Sequence, residues 1–171
     1  MLDLRPMRPG GRFPMMRGGR TVILAPDRSA MIQHLLYAAC LVAVTVAVHA
    51  AGFGLVLATV VKRHVAVPTS FWPISWLLVR LAWLLILIHV VEISVWALFY
   101  RWQHCLPDAE SAFYFSGVTY TTLGYGDLVL PLEWRLLAPL EGLTGILMCG
   151  LSAGLFFATV SAIYTPREQR A

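Results

Sequence analysis

Charge is what this chain has least of. Only 13% of its 171 residues are Asp, Glu, Lys or Arg, while 58% are hydrophobic. That balance excludes the composition of an ordinary soluble domain. Met31 to Val61 is a run of 31 residues without one of those four charged types. As a helix it rises about 46 Å at ~1.5 Å per residue, more than the roughly 30 Å hydrocarbon core of a bilayer. The polar faces at helical spacing that a soluble helical core requires are also missing. Cysteine is sparse, with Cys40, Cys105 and Cys149 far apart and no C-x-x-C pair, which argues against a structural metal. Lysine is nearly absent, and six arginines among the first 28 residues supply most of the net charge of +4. A lysine-free basic tail on an apolar chain points to a membrane protein rather than to a nucleic-acid partner. Those first residues hold no apolar h-region, so they do not read as a signal peptide. No helix carries arginine at every third position, so no voltage sensor is expected.

What is present comes in blocks. Residues 1–30 read as a disordered basic segment. Residues 31–61 read as a first membrane helix, joined by the connector Lys62–Ser75, with its two prolines, to a second helix over 77–100. Trp72, Trp76 and Trp83 fall where residues anchor at a membrane interface. A third membrane helix is expected over 136–164, followed by a short tail at 166–171. Between the second and third lies a shorter apolar run. Asp108 caps its start, Glu110 sits in its first turn, and it extends over 108–120. It is too short to span and has the length of a re-entrant segment. The fold class is therefore an all-α membrane protein of three transmembrane helices with a re-entrant helix and loop before the last.

That loop reads TYTTLGYGDL, Thr119 to Leu128. Its glycines free the backbone for dihedrals that a helix forbids. Irregular backbone at membrane depth is tolerated only where protein buries it or a watery path runs beside it. A dehydrated cation needs oxygens in place of its water, and backbone carbonyls aimed at one axis supply them without net charge. One chain offers part of each oxygen ring, so several chains must meet.

The residues Thr121-Thr122-Leu123-Gly124-Tyr125-Gly126-Asp127 resemble the selectivity-filter signature of potassium channels, in a small bacterial form with one extra N-terminal helix. The resemblance covers roughly residues 77–165. It implies a homotetramer in the lipid bilayer that passes K+ and has no other cofactor and no enzymatic activity. It implies K+ ligation by the carbonyls of Thr122, Leu123, Gly124 and Tyr125, with the filter running over 122–126 and Gly126 closing its outer end. Thr121 and Asp127 are implied as support. Leu123 stands where valine is commoner in the family. Val118 stands where well-known members carry a carboxylate behind the filter, and Tyr114 and Phe115 replace a tryptophan pair. Since Phe115 cannot donate a hydrogen bond, the filter is expected to be braced more by packing than by polar links. In the last helix Gly145 and Gly150 are the hinge candidates, with close helix crossing as the plainer reading of both.

Ionisable residues inside membrane helices are functional suspects. His49, His89 and Glu92 are placed at similar depth by the helix directions, and Glu92 lies one turn from His89. The cluster reads either as a proton sensor or as a structural contact that fixes helix packing. A pairing of Glu141 with Arg135 is a further expectation. The resemblance places the protein in the cell (inner) membrane with the filter facing outside and the C-terminus cytoplasmic. Lys62, Arg63, Arg80, Arg167 and Arg170 then lie inside, against Arg101 and Arg135 outside, in agreement with the positive-inside rule. The same direction puts the N-terminal arginines outside. Either that tail is translocated regardless, or residues 1–30 are an over-extended start, since Met15, Met16 and Met31 offer later ones. Two rival readings remain: a non-conducting membrane subunit of other channels, and an intramembrane serine protease built on Gly150–Gly154, G-x-S-x-G. For the second, no later helix follows Ser152 to bring it a histidine.

Overall fold

A computed structural model describes residues 28–61 and 71–164. Residues 1–27 of the basic N-terminal segment, most of the connector and the tail lie outside these residues, while residues 28–30, expected to be disordered, open the first helix. Four helices follow in order: α1 Arg28–Val61, α2 Phe71–Trp102, α3 Ala109–Tyr120 and α4 Leu137–Tyr164, with no strand among the described residues. Three of them, through Ile32–Ala58, Phe71–Trp102 and Leu137–Ser161, are long and apolar enough to cross a membrane. The protein is an all-helical membrane protein. Helix α2 begins at Phe71, earlier than the expected start at residue 77. Pro73 is no obstacle in that first turn, where a backbone N–H has no intrahelical acceptor anyway. Trp72, Trp76 and Trp83 are all exposed on it.

Helix α2 ends in a Schellman turn built on a histidine. His104 takes φ 54°. The N–H of Cys105 donates to the Tyr100 carbonyl at 3.0 Å, and that of His104 to the Arg101 carbonyl at 3.2 Å. Glycine is the usual residue at this left-handed position, because a Cβ crowds the following carbonyl there. The chain then turns back through Pro107. Asp108 starts α3 by accepting from the backbone N–H of Ser111 at 2.7 Å and from its hydroxyl at 3.1 Å. That backbone bond holds the exposed Asp108 carboxyl below the usual carboxylate range.

Helix α3 wedges between α2 and α4, and its far end returns deep along α2. Tyr120 closes α3 against His89 and Glu92. His89 lies 13 residues before the end of α2, about 20 Å back along the helix axis. This is the re-entrant path expected of so short a helix. Helix α1 packs on α2 and α4 but not directly on α3. It runs antiparallel to α2 and parallel to α4, since Ala38 and Leu41 join Trp96, Tyr100 and Leu137, whereas Val56 joins Leu81 and Leu85. The His34 ring lies 4.3 Å from that of Trp134, so α1 starts at the end of the molecule that carries the loop. The larger apolar cluster is at this end, where all four helices contribute. The opposite ends of α1, α2 and α4 meet through a smaller one.

Candidate functional site

The loop after α3 grows out of the helix end. The carbonyl of Gly117 takes the N–H of Thr121 at 3.1 Å, and that of Thr119 takes Thr122 at 2.9 Å. The Val118 carbonyl takes both Leu123 at 2.9 Å and Gly124 at 3.3 Å. The Thr121 hydroxyl adds a bond to Gly117 at 2.6 Å. The last turn of α3 is therefore capped by the N–H groups of the loop itself, which leaves the loop's carbonyls uncommitted in these bonds.

Beyond that cap the backbone alternates. Thr122, Gly124 and Gly126 have φ of 62°, 54° and 77°, and no other residue between 121 and 127 has positive φ. Alternation between left- and right-handed dihedrals turns successive peptide planes so that their carbonyls point to one side. Glycine takes such dihedrals freely, whereas Thr122, which is β-branched, does so at a conformational cost. Residues 121–127 are all exposed, Leu123 at 59% and Tyr125 at 67%. Asp127, at the far end, accepts a hydrogen bond from the Tyr114 hydroxyl at 2.8 Å. Val118 lines a cavity of about 320 Å³ between α3 and the loop, together with Tyr114, Thr122, Gly126, Asp127 and Gly142.

Two buried carboxylates hold α3 in place. Glu141 of α4 accepts from the Tyr100 hydroxyl at 2.7 Å and lies 2.5 Å from the Ser116 hydroxyl, which also faces the Ile93 carbonyl at 2.9 Å. Glu92 of α2 holds the end of α3 by accepting from the Tyr120 hydroxyl. His49 Nδ1 lies 2.7 Å from one Glu92 oxygen, and His89 Nδ1 lies 3.3 Å from the other. His89 Nδ1 is also 3.1 Å from the Tyr120 hydroxyl, and its Nε2 is 3.0 Å from Ser152 Oγ. Glu92 is completely buried and His49 almost so. Gly52, one turn from His49, lets α1 come this close, because a Cβ there would meet Ile88 at 2.7 Å. Higher up the same pair of helices, the Trp96 ring N–H donates to Thr45 Oγ1 at 3.0 Å.

The structure thus brings His49, His89 and Glu92 together and adds Tyr120 and Ser152, which sequence reasoning left out of the cluster. A tyrosine at the end of the short helix and a small polar residue on α4 were the available signals. Three expectations change. The loop is braced by polar links after all, at Tyr114–Asp127, with Ser116–Glu141 and Tyr120–Glu92 steadying the helix beneath it. Phe115 is buried edge-on against Tyr100 and contributes packing alone. Glu141 is occupied by Tyr100 and Ser116, and Arg135 is exposed. Gly145 is a contact residue, since a Cβ on it would lie 2.0 Å from the Tyr120 carbonyl oxygen, while Gly150 has nothing within 4 Å.

Ser152 does have a histidine, from an earlier helix rather than a later one. Ser152, His89 and Glu92 stand in the order of a hydrolytic triad. The surroundings are not those of a hydrolase. Ser152 is buried in mid-helix, where helical bonding occupies the backbone N–H groups that an oxyanion would need. No strand-to-helix elbow presents it.

Among characterised families, residues 86–162 match the model of the family described as "Ion channel". No curated protein and no solved structure matches the chain.

Proposed function

We propose that the chain, whose residues 86–162 match the ion-channel family model, is a potassium-selective channel, four copies of which surround one conduction path. The observation that carries this reading is the alternating backbone of Thr122, Gly124 and Gly126 in an exposed loop at the end of a short, doubly braced helix. Carbonyls turned to one side in series are the ligand set that replaces the hydration shell of a K+ ion. In this reading Thr122, Leu123, Gly124 and Tyr125 supply the carbonyls, and Thr122 adds its hydroxyl. Gly126 ends the row. Asp127, held by Tyr114, sets the outer rim. Helices α2 and α4 are the outer and inner helices of each subunit, and α1 supports them from behind. The exposed face of the loop is covered by the same loop of neighbouring subunits.

In the proposed orientation the loop faces outside the cell membrane and the end of α4 faces the cytoplasm, supported by the basic residues near the other ends of α1 and α2. Because α1 starts at the loop end, the arginine-rich segment begins on the outer side in that orientation. Purified protein in liposomes with opposed K+ and Na+ gradients tests the function. The expected result is K+ flux at least tenfold above Na+ flux, abolished by Gly126→Ala, whose Cβ opposes the left-handed φ. Equal flux of both ions overturns the selectivity. Absence of flux from a well-folded tetramer overturns conduction.

A further inference from the structure

The cluster around Glu92 is a second site, joined to the loop through Tyr120, the last residue of α3, and the channel reading leaves it unused. Its chemistry is that of a buried anion facing two imidazoles. A carboxylate enclosed in a membrane protein needs compensating charge or a full set of donors. Here the Tyr120 hydroxyl, His49 Nδ1 and His89 Nδ1 all face Glu92, and an ionised Glu92, which can only accept, selects the tautomer with N–H at Nδ1 in both rings. The titratable groups facing His89 are His49 from α1, Glu92 from its own helix and Tyr120 from α3. Cys149 on α4 acts electrostatically on the cluster through Glu92, and Glu141 does so through Tyr120.

The two histidines are not equivalent. A protonated imidazole has two N–H donors and needs an acceptor for each. His49 has one, because its Nε2 is buried and has no partner among the described residues. His89 has two: Glu92 on the Nδ1 side and Ser152 Oγ, 3.0 Å away, on the Nε2 side. The His89 side chain is also less enclosed by this chain than the other two, 17% exposed against 3% for His49 and 0% for Glu92. We infer that the cluster is a binding site for a single proton, that His89 Nε2 takes it, and that the bound proton ties α4 to α2. The inference rests on the channel reading for its consequence but not for its chemistry.

The proton comes from water and leaves to water, and no covalent bond other than N–H changes. In neutral His89 the Nε2 lone pair accepts from the Ser152 hydroxyl. In protonated His89 the direction reverses: Nε2–H donates to Ser152 Oγ. The displaced hydroxyl proton turns to the carbonyl one turn back. Ser94, Thr144 and Thr159 already make that kind of bond in this molecule, at 2.7–2.9 Å. The contact is then charge-assisted and stronger. Ser152 lies between Met148, packed with Ile93 and Tyr120, and Leu155 and Phe156, packed on Val56, Leu81 and Leu85, so its contact with His89 is the polar addition to that packing. Acid therefore tightens the contact between α4 and α2, and alkali weakens it to a neutral hydrogen bond. A metal ion fits this site less well. Tetrahedral zinc with ligands at ~2.0–2.1 Å needs donor atoms about 3.3–3.4 Å apart. Binding it would also displace the donors that already fill Glu92.

The test uses the full chain in lipid nanodiscs with isotope-labelled histidine, followed by NMR from pH 5 to 8, alongside K+ flux in liposomes over the same range. One ring of the cluster should titrate and vanish in His89→Gln, while the signal lost in His49→Gln should not titrate. Ser152→Ala should leave His89 titrating at lower pH, because Nε2–H loses its acceptor; a role limited to packing would not move that midpoint. Flux in the wild type should change on the order of tenfold across the range, the ratio that one charge-assisted bond in place of a neutral one supplies, and should be flat in His89→Gln. Titration of His49 instead, or an unmoved midpoint in Ser152→Ala, overturns the assignment. K+ flux that is independent of pH overturns the link to α4 while leaving the channel intact. Absence of flux at every pH counts against the channel, and the ring titration still decides the proton site. Zn2+ that shifts both rings and is reversed by a chelator overturns the proton in favour of a metal.

Discussion

The two carboxylates that grip α3 differ in their company. Glu92 is faced by two histidines and a tyrosine. Glu141 is faced by two hydroxyls and no basic group. The Ser116 hydroxyl has one proton and two oxygens in reach, the Ile93 carbonyl and a Glu141 oxygen. A single hydroxyl proton can only be shared between them, whereas both become full hydrogen bonds when Glu141 carries a proton and donates it to Ser116. Glu92 meets only donors. One carboxylate is therefore arranged as a neutral acid and the other as an anion, although both are fully buried and both reach the same short helix. Burial alone does not set the role of an acid; the donors and acceptors around it do.

The comparison can be broken in order of expected effect. Gly145→Ala should be the most damaging change to the helix both acids hold. Its methyl group would sit 2.0 Å from a backbone oxygen that no side-chain motion relieves. Overpacking of this kind costs ~1–3 kcal/mol or more, and the yield of folded protein in detergent should collapse, whereas Gly150→Ala should be recovered as the wild type is. Next comes the pair of glutamines. Glu92→Gln puts an NH2 group among donors and should destabilise by about 1–3 kcal/mol, read as a lower midpoint of thermal unfolding. Glu141→Gln preserves one donor for Ser116 and one acceptor for Tyr100 and should unfold close to the wild type. A larger loss in Glu141→Gln than in Glu92→Gln would reverse the assignment of the two acids.

Smaller again is Tyr120→Phe, which removes one donor from Glu92 while leaving the ring between Ile93 and Met148. A loss of roughly 0.5–1.5 kcal/mol is expected, together with altered flux, because Thr121 and Thr122 follow directly. The least effect belongs to the solvent-facing cap. The folded Asp108 carboxyl is held below its ordinary range, so its contribution is present above that range and is lost as pH falls through the lowered value. Circular dichroism or unfolding below pH 4 should show this in the wild type and not in Asp108→Ala.

Much of this was legible in the residues. Long apolar runs without charge name membrane helices because no other solvent accepts them. Asp108 with Glu110 marks the start of a short helix, and two glycines separated by a tyrosine mark where it must stop. The similar depth of His49, His89 and Glu92 followed from helix direction and rise. The other half of each contact was not legible. Tyr120, Ser152, Ser116 and Tyr100 read as ordinary residues of apolar helices, because a hydroxyl signals nothing until an acceptor is placed opposite it. The polar bracing is hidden in the sequence for the same reason: Phe115 shows the lack of a donor, while Tyr114 one position earlier reaches Asp127 across 13 residues. Gly145 looked like a hinge in one dimension and proved to be the floor on which a carbonyl rests.

By itself, then, the sequence determined the environment, the helix count, the short helix and the glycine-bearing loop, since these follow from local composition and from what a bilayer and a backbone permit. Only the tertiary structure decided which partner each polar group meets. It paired Glu141 with hydroxyls and Glu92 with imidazoles, and it gave His89 two acceptors and His49 one. The pairings between helices join residues 25 to 63 apart in the chain and depend on those helices arriving in register. Spacing along the chain carries no record of that register, because it is set by how glycines such as Gly52 and Gly145 let neighbouring helices close.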